Sequence, residues 1–281
     1  MKPGKLDYDL LYNPRVLVSD FQEYFDTWGR QSARARATLD CYLDIPYGET
    51  AAETVDIFRA EGASRGLLMF IHGGYWRGLD KKDFSFVAPA LVKAGITVAV
   101  PNYALCPSVA VPDIVMQMVQ ASAWLYRNGG NFGAPANRLH VVGHSAGGHL
   151  TAMMLAALFP VYSPDLPQKV VQGGLSISGI HDLRDMVRFK TINVDVRLDE
   201  KTAIKASPAF MPPATDAPFY TAVGTAENEG FHMQKRLIMK SWKKVHKGDI
   251  SCPGDNHFSV VNQLATAGSP IFRTVMRMMG Q

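Results

Sequence analysis

The stretch VVGHSAGGH, residues 141–149, decides how the rest of the chain is read. It links the apolar run that starts at Leu139 to a second one, LTAMMLAALF, residues 150–159, and sets a serine between glycines at the junction. Gly143-His144-Ser145-Ala146-Gly147 is a G-x-S-x-G. Between a strand and a helix, that spacing predicts a nucleophile elbow, a tight turn that holds the serine strained with its Oγ exposed. Glycines flank it because the turn crowds any side chain against the neighbouring strand and helix. The helix N-terminus behind the serine favours negative charge developing there. The alternative is a plain strand-to-helix turn with no chemistry.

Upstream of the elbow, LDCYLDIPYG (39–48) and TVDIFRA (54–60) alternate as half-buried antiparallel strands do. GLLMFIH (66–72), GITVAVPNY (95–103) and RLHVVGHS (138–145) are nearly continuous apolar runs, which suit strands covered on both faces. Helical patterns lie between them: one starts at Phe86, and the clearest covers residues 111–128, with Pro112 at its start. Downstream the order repeats. A helix is expected over 146–159, then strands at VVQGGLSISG, APFYTAVG and DISCPG, a helix at FHMQKRLIMKSWKKV and a last helix after His257. This order predicts one α/β domain over 1–281, a mostly parallel sheet with antiparallel N-terminal strands and helices on both faces. Residues 1–38 read as an N-terminal helical arm. Residues 180–213 read as an irregular insertion, either a cap over the site or a loop.

A nucleophilic serine needs a base, and the base an orienting carboxylate, in the chain order serine, acid, histidine. His257, in the loop PGDNHFSVV, is the expected base. Glu227 and Glu229 follow a strand end and compete for the acid, with Asp255 as a third candidate; Glu227 is preferred because it comes sooner after the strand. His144 and His149 flank the elbow and read as structural. A metal site built from His140, His144 and His149 is disfavoured, because strand, turn and helix would aim their side chains apart. HGGYW, residues 72–76, closes the strand expected beside the elbow strand. Its glycines would let backbone N–H groups around Gly73, Gly74 and Tyr75 join that of Ala146 in an oxyanion hole. Tyr75, Trp76 and Phe258 are candidates for an aromatic substrate wall; the alternative is that they are core aromatics. Arg184, Arg188 and Lys190 are candidate carboxylate binders, with an ordinary surface role as the alternative.

With these motifs in view, the chain resembles the α/β-hydrolases, and within them the kynurenine formamidase (arylformamidase) branch. The resemblance rests on YNPR (12–15), HGGYW, GHSAGGHL (143–150), GTAENEGFHMQ from Gly224 and NHFSVV from Asn256, and spans nearly the whole chain. It implies a Ser145–Glu227–His257 triad that needs no cofactor, and hydrolysis of N-formyl-kynurenine to kynurenine and formate. The other readings are a short-chain carboxylesterase and, more distantly, a hydrolase fold kept for ligand binding alone.

Composition narrows the field. The chain has 281 residues, 47% of them hydrophobic, enough for one large core. The net charge of +4 is scattered, and no nucleic-acid signature is present. The basic cluster KSWKKVHK (240–247) reads as the solvated face of a helix. The polar N-terminus lacks a secretory h-region, and the longest apolar run is too short to span a bilayer. Three widely spaced cysteines, Cys41, Cys106 and Cys252, fit reduced thiols and a cytoplasmic setting. The expected partner is a small aryl formamide or ester, with neither nucleic acid nor membrane; homo-oligomers are compatible with the sequence.

Overall fold

The computed structural model describes residues 6–280. The first five residues of the expected arm lie outside the described part. Three helices open the chain: α1 (Tyr8–Tyr12), α2 (Pro14–Leu17) and α3 (Phe21–Thr38). The strands are β1 (Cys41–Pro46), β2 (Thr54–Phe58), β3 (Gly66–Ile71), β4 (Ile96–Pro101), β5 (Leu139–His144), β6 (Val171–Ile177), β7 (Phe219–Gly224) and β8 (His246–Cys252). They form one 8-stranded sheet in the order β1-β2-β4-β3-β5-β6-β7-β8. β1, β2 and β4 pair antiparallel; every pairing from β4 through β8 is parallel. This is the α/β sheet expected from the sequence.

The alternation of side chains along a strand splits the core in two. Along β3, Leu67, Met69 and Ile71 pack in one layer, while Leu68 and Phe70 pack in the other. The first layer meets α5 (Val111–Asn128), α6 (Ala146–Ala156) and α11 (Glu229–Ser241). The second meets α3, α4 (Ala88–Lys93), α12 (Asn262–Ala265) and α13 (Pro270–Met278). α3 is fastened through Trp28, which stacks on Phe86 at 5.7 Å and donates its indole N–H to Asn262 at 2.8 Å.

Four expectations need correction. β2, expected to be half-buried, is buried from Val55 to Phe58, because it lies between β1 and β4 with Val55 and Ile57 packed in one layer and Phe58 in the other. The helix after the elbow stops at Ala156 rather than Phe159, and α7 (Phe159–Tyr162) starts afresh. Pro160 lacks the N–H that would continue α6 and is instead accommodated in the first turn of α7. Residues 180–213 are not irregular: they carry α8 (Arg184–Arg188), α9 (Lys190–Val196) and α10 (Glu200–Lys205). Met186, Phe189, Ile192 and Val196 are buried at helical spacing, but a non-helical Phe189 divides the pattern into α8 and α9, and a left-handed Arg197 ends it. The 240–247 cluster straddles the end of α11, a turn and the start of β8, so it is not one helix face. No described helix is long and apolar enough to cross a membrane.

Candidate active site

The elbow stands at the C-terminal end of β5, in the middle of the sheet. Ser145 has φ 58° and ψ −118°, outside the regions open to an unstrained L-residue. A Cβ on Gly147 would collide with the Ile71 carbonyl, so only glycine lets α6 approach β3 this closely. Around Ser145 the structure assembles a chain of hydrogen bonds. Its Oγ lies 3.1 Å from His257 Nε2, and His257 Nδ1 lies 2.7 Å from Glu227 Oε2. The other oxygen of Glu227 accepts from Ser178 Oγ at 2.6 Å and from the Gly224 N–H at 2.7 Å. Both carboxylate oxygens are therefore held, which fixes the angle at which Glu227 meets the imidazole. Glu229 instead pairs with Arg236 on the surface, and Asp255 accepts from Ser259 Oγ at 2.7 Å.

Two further rings position His257. Phe231 stacks on it at 4.2 Å, and the His144 Nε2–H donates to the His257 carbonyl at 2.9 Å. Burial, reinforced by the neighbouring His257, holds the His144 pKa well below the usual imidazole value, so it acts as a neutral donor. Neither contact was foreseen. Phe231 is one more apolar helix residue in the sequence, and only the packing of α11 brings it to the imidazole.

HGGYW leaves β3, which pairs directly with β5, Ile71 opposite Gly143. Gly74 has φ +110°, and a Cβ there would strike the Gly78 carbonyl. Among the described residues, the N–H groups of Gly74, Tyr75 and Ala146 donate to no protein acceptor. Gly73 packs against the elbow itself, with His144 O and Ser145 Cβ as the nearest atoms to where its Cβ would stand. His72 braces the loop. Its Nδ1–H donates to Gly73 O at 2.8 Å, and the Tyr103 ring stacks on it at 4.2 Å.

A cavity of about 350 Å³ opens over Ser145, within the range typical of ligand pockets. Tyr75 and Phe258 line it, but Trp76 does not. The expectation that Trp76 forms part of a substrate wall is corrected: Tyr75 and Trp76 both have positive φ, and the resulting turn drives the indole into the core. Trp76 Nε1–H donates to His149 Nδ1 at 3.2 Å, and His149 Nε2–H donates to Ala206 O at 2.7 Å. Its place in the wall is taken by Phe25 and Trp28 from α3. These arm residues carry no local sequence signal that separates them from packing aromatics. Thr191 and Ile192 of α9 also line the cavity, so the 180–213 segment does reach the site. Arg184 pairs with Asp182 and Arg188 with Glu200; neither they nor Lys190 line the cavity. Among the described residues, no group of three or more His, Cys, Asp or Glu is placed to hold a metal ion.

Comparison with known proteins agrees with this architecture. The chain is 28% identical to the kynurenine formamidase of Salmo salar, over 88% of this chain and 85% of that protein. It is 26% identical to the kynurenine formamidase of Danio rerio, over 96% and 93% of the two chains. A crystal structure from Silicibacter sp., provisionally assigned as a thioesterase, superposes with a TM-score of 0.86 at 30% identity, covering 97% of this chain and all of that one. Esterase B of Lactobacillus rhamnosis, at 16% identity and a TM-score of 0.69 over 92% and 95% of the chains, shares the fold. The BD-FAE family model matches residues 55–228, more than half of the chain and every segment from β2 to Glu227. The chain belongs to the BD-FAE family and has the α/β-hydrolase fold.

Proposed function

We propose that the chain is a serine hydrolase of the arylformamidase type, which removes a formyl group from N-formyl-kynurenine or a closely related aryl formamide. The observation that carries the serine mechanism is the hydrogen-bonded sequence Ser145–His257–Glu227 beneath the cavity. The substrate class is supported by similarity to kynurenine formamidases over most of the chain and by an aromatic cavity suited to an aryl group.

In this mechanism His257 Nε2 takes the Ser145 proton as Oγ attacks the formyl carbon. The N–H groups of Ala146 and of the Gly74 region receive the oxyanion, and Glu227 stabilises the imidazolium. His257 then protonates the aniline nitrogen, the C–N bond breaks and the aryl amine leaves. Water, deprotonated by the same imidazole, attacks the formyl ester and releases formate. The step needs no metal or organic cofactor. A cytoplasmic location belongs to the same reading, in keeping with three free cysteines, two of them buried.

A short-chain carboxylesterase is the second reading, favoured by 27% identity to the carboxylesterase NlhH of Mycobacterium tuberculosis over 57% of this chain and 49% of that protein. Side-by-side assays separate the two. The formamidase reading expects N-formyl-kynurenine to be turned over at least as well as p-nitrophenyl acetate. Good turnover of the ester with almost none of the formamide leaves the carboxylesterase.

A further inference from the structure

We propose that Arg15 is the anion-binding residue of this cavity, and that the preferred substrate carries a carboxylate beyond its aryl body. The proposal rests on the hydrolase reading of the site but not on the choice between formamide and ester. Among the described residues, two guanidinium groups, Arg15 and Arg77, line the cavity, and no Asp or Glu does. Arg77 is already neutralised by an ion pair with Asp195. Arg15 makes no ion pair with a carboxylate among the described residues.

Arg15 is nonetheless held in place. Its guanidinium lies 4.4 Å from the centroid of the Phe21 ring and 5.9 Å from that of Phe25. Aromatic rings interact with the face of a guanidinium and leave its N–H donors, which point outward in the plane, available for a planar acceptor. A carboxylate, which accepts two parallel N–H bonds, is the matching group. The same two rings pack on Phe258, at 6.2 Å and 5.5 Å, and Phe258 follows His257 in the chain. A continuous aromatic wall thus joins the reacting end of the cavity to a cation with no counter-ion among the described residues. A molecule that fits both has an acyl group at Ser145, an aryl body along Phe25 and Phe258, and a negative charge at Arg15. Stacking the cation on α3 also gives α2 a function, since Pro14 and Arg15 begin that helix and both line the cavity.

A matched pair of esters tests this: 3-(4-acetoxyphenyl)propanoate and its neutral propanamide. Both are aryl acetates, so the comparison reads anion preference whether or not N-formyl-kynurenine is a substrate. The wild type should favour the carboxylate in kcat/KM by about tenfold or more. Arg15→Gln should abolish that preference, chiefly by raising KM for the carboxylate, with a much smaller loss on the amide. The urea-unfolding midpoint of the variant, compared with that of the wild type, serves as the control for folding. Arg15→Lys, which keeps the charge but not the fork, should fall between the two. Equal use of both esters by the wild type overturns the proposal. So does a loss in Arg15→Gln that is equal for both substrates, which would make Arg15 a packing residue of the arm, or a preference that survives the substitution.

Discussion

Ser145 sits at a backbone conformation that most side chains avoid, with its Oγ in reach of His257. Strain of this kind persists only where surrounding contacts over-determine it. Here the Ser145 N–H donates to Ile177 O at 2.8 Å, and its carbonyl accepts from the Gly148 and His149 N–H groups. Ser145→Ala leaves those contacts intact. It should therefore fold like the wild type and lose roughly 10⁴- to 10⁶-fold in kcat, measured on whichever substrate is turned over best. Unchanged hydrolysis would remove Ser145 from the mechanism. Glu227→Gln should cost on the order of 10⁴-fold in kcat, because a neutral amide neither stabilises the imidazolium nor enforces the tautomer. Glu229→Gln, which disturbs only a surface pair with Arg236, should leave kcat within about twofold.

The elements around the site divide the work between backbone and side chains. The HGGYW turn presents N–H groups, and its conformation depends on Gly74 having positive φ. Gly74→Ala should lower kcat by about 10²- to 10³-fold with a smaller change in KM, as loss of an oxyanion donor does. Trp76 belongs to the same turn but serves packing. Trp76→Phe removes its hydrogen bond to His149 along with buried volume. It should cost about 1–3 kcal/mol in urea unfolding while KM stays near the wild-type value. A large rise in KM with unchanged stability would restore Trp76 to the substrate wall. These two neighbours show why the pentapeptide was legible in part. The need for glycine at a left-handed turn can be read from sequence, but where the next two side chains go depends on the turn's exit direction.

At the scale of the molecule, the layers on either side of the sheet enclose histidines that burial keeps neutral. The pKa of His72 is lowered by burial, that of His149 to about 4 and that of His181 to about 3, with His144 also well below the ordinary 6.5. Their unfolded forms bind protons at a higher pH than their folded forms. Their stabilising contribution is thus complete above about pH 6.5 and is lost as pH falls towards 4 and below. The melting temperature should be flat from pH 8 to 7 and fall steadily from pH 6 to 4.5. A flat profile across that acid range would mean that these imidazoles are accessible to protons in the folded state.

The alternation of β1, the continuous apolar runs of β3, β4 and β5, the G-x-S-x-G between a strand and a helix, and the two glycines after His72 were all readable from the chain. Each depends on a period, a spacing or a backbone requirement confined to a few neighbouring residues. The order of strands and helices then implied the parallel sheet, and with it the adjacency of HGGYW and the elbow. Tertiary structure decided what those local rules do not reach. It brought Glu227 rather than Glu229 or Asp255 to His257, turned Trp76 inward, and made residues 180–213 helical pieces with two residues at the cavity. It also set Arg15, Phe25 and Trp28, more than a hundred residues before Ser145, around the same cavity. The physical reason is the range of the interactions. Helix and strand patterns record which side of an element is buried, whereas a cavity wall is assembled from whichever elements the packed layers place at its rim.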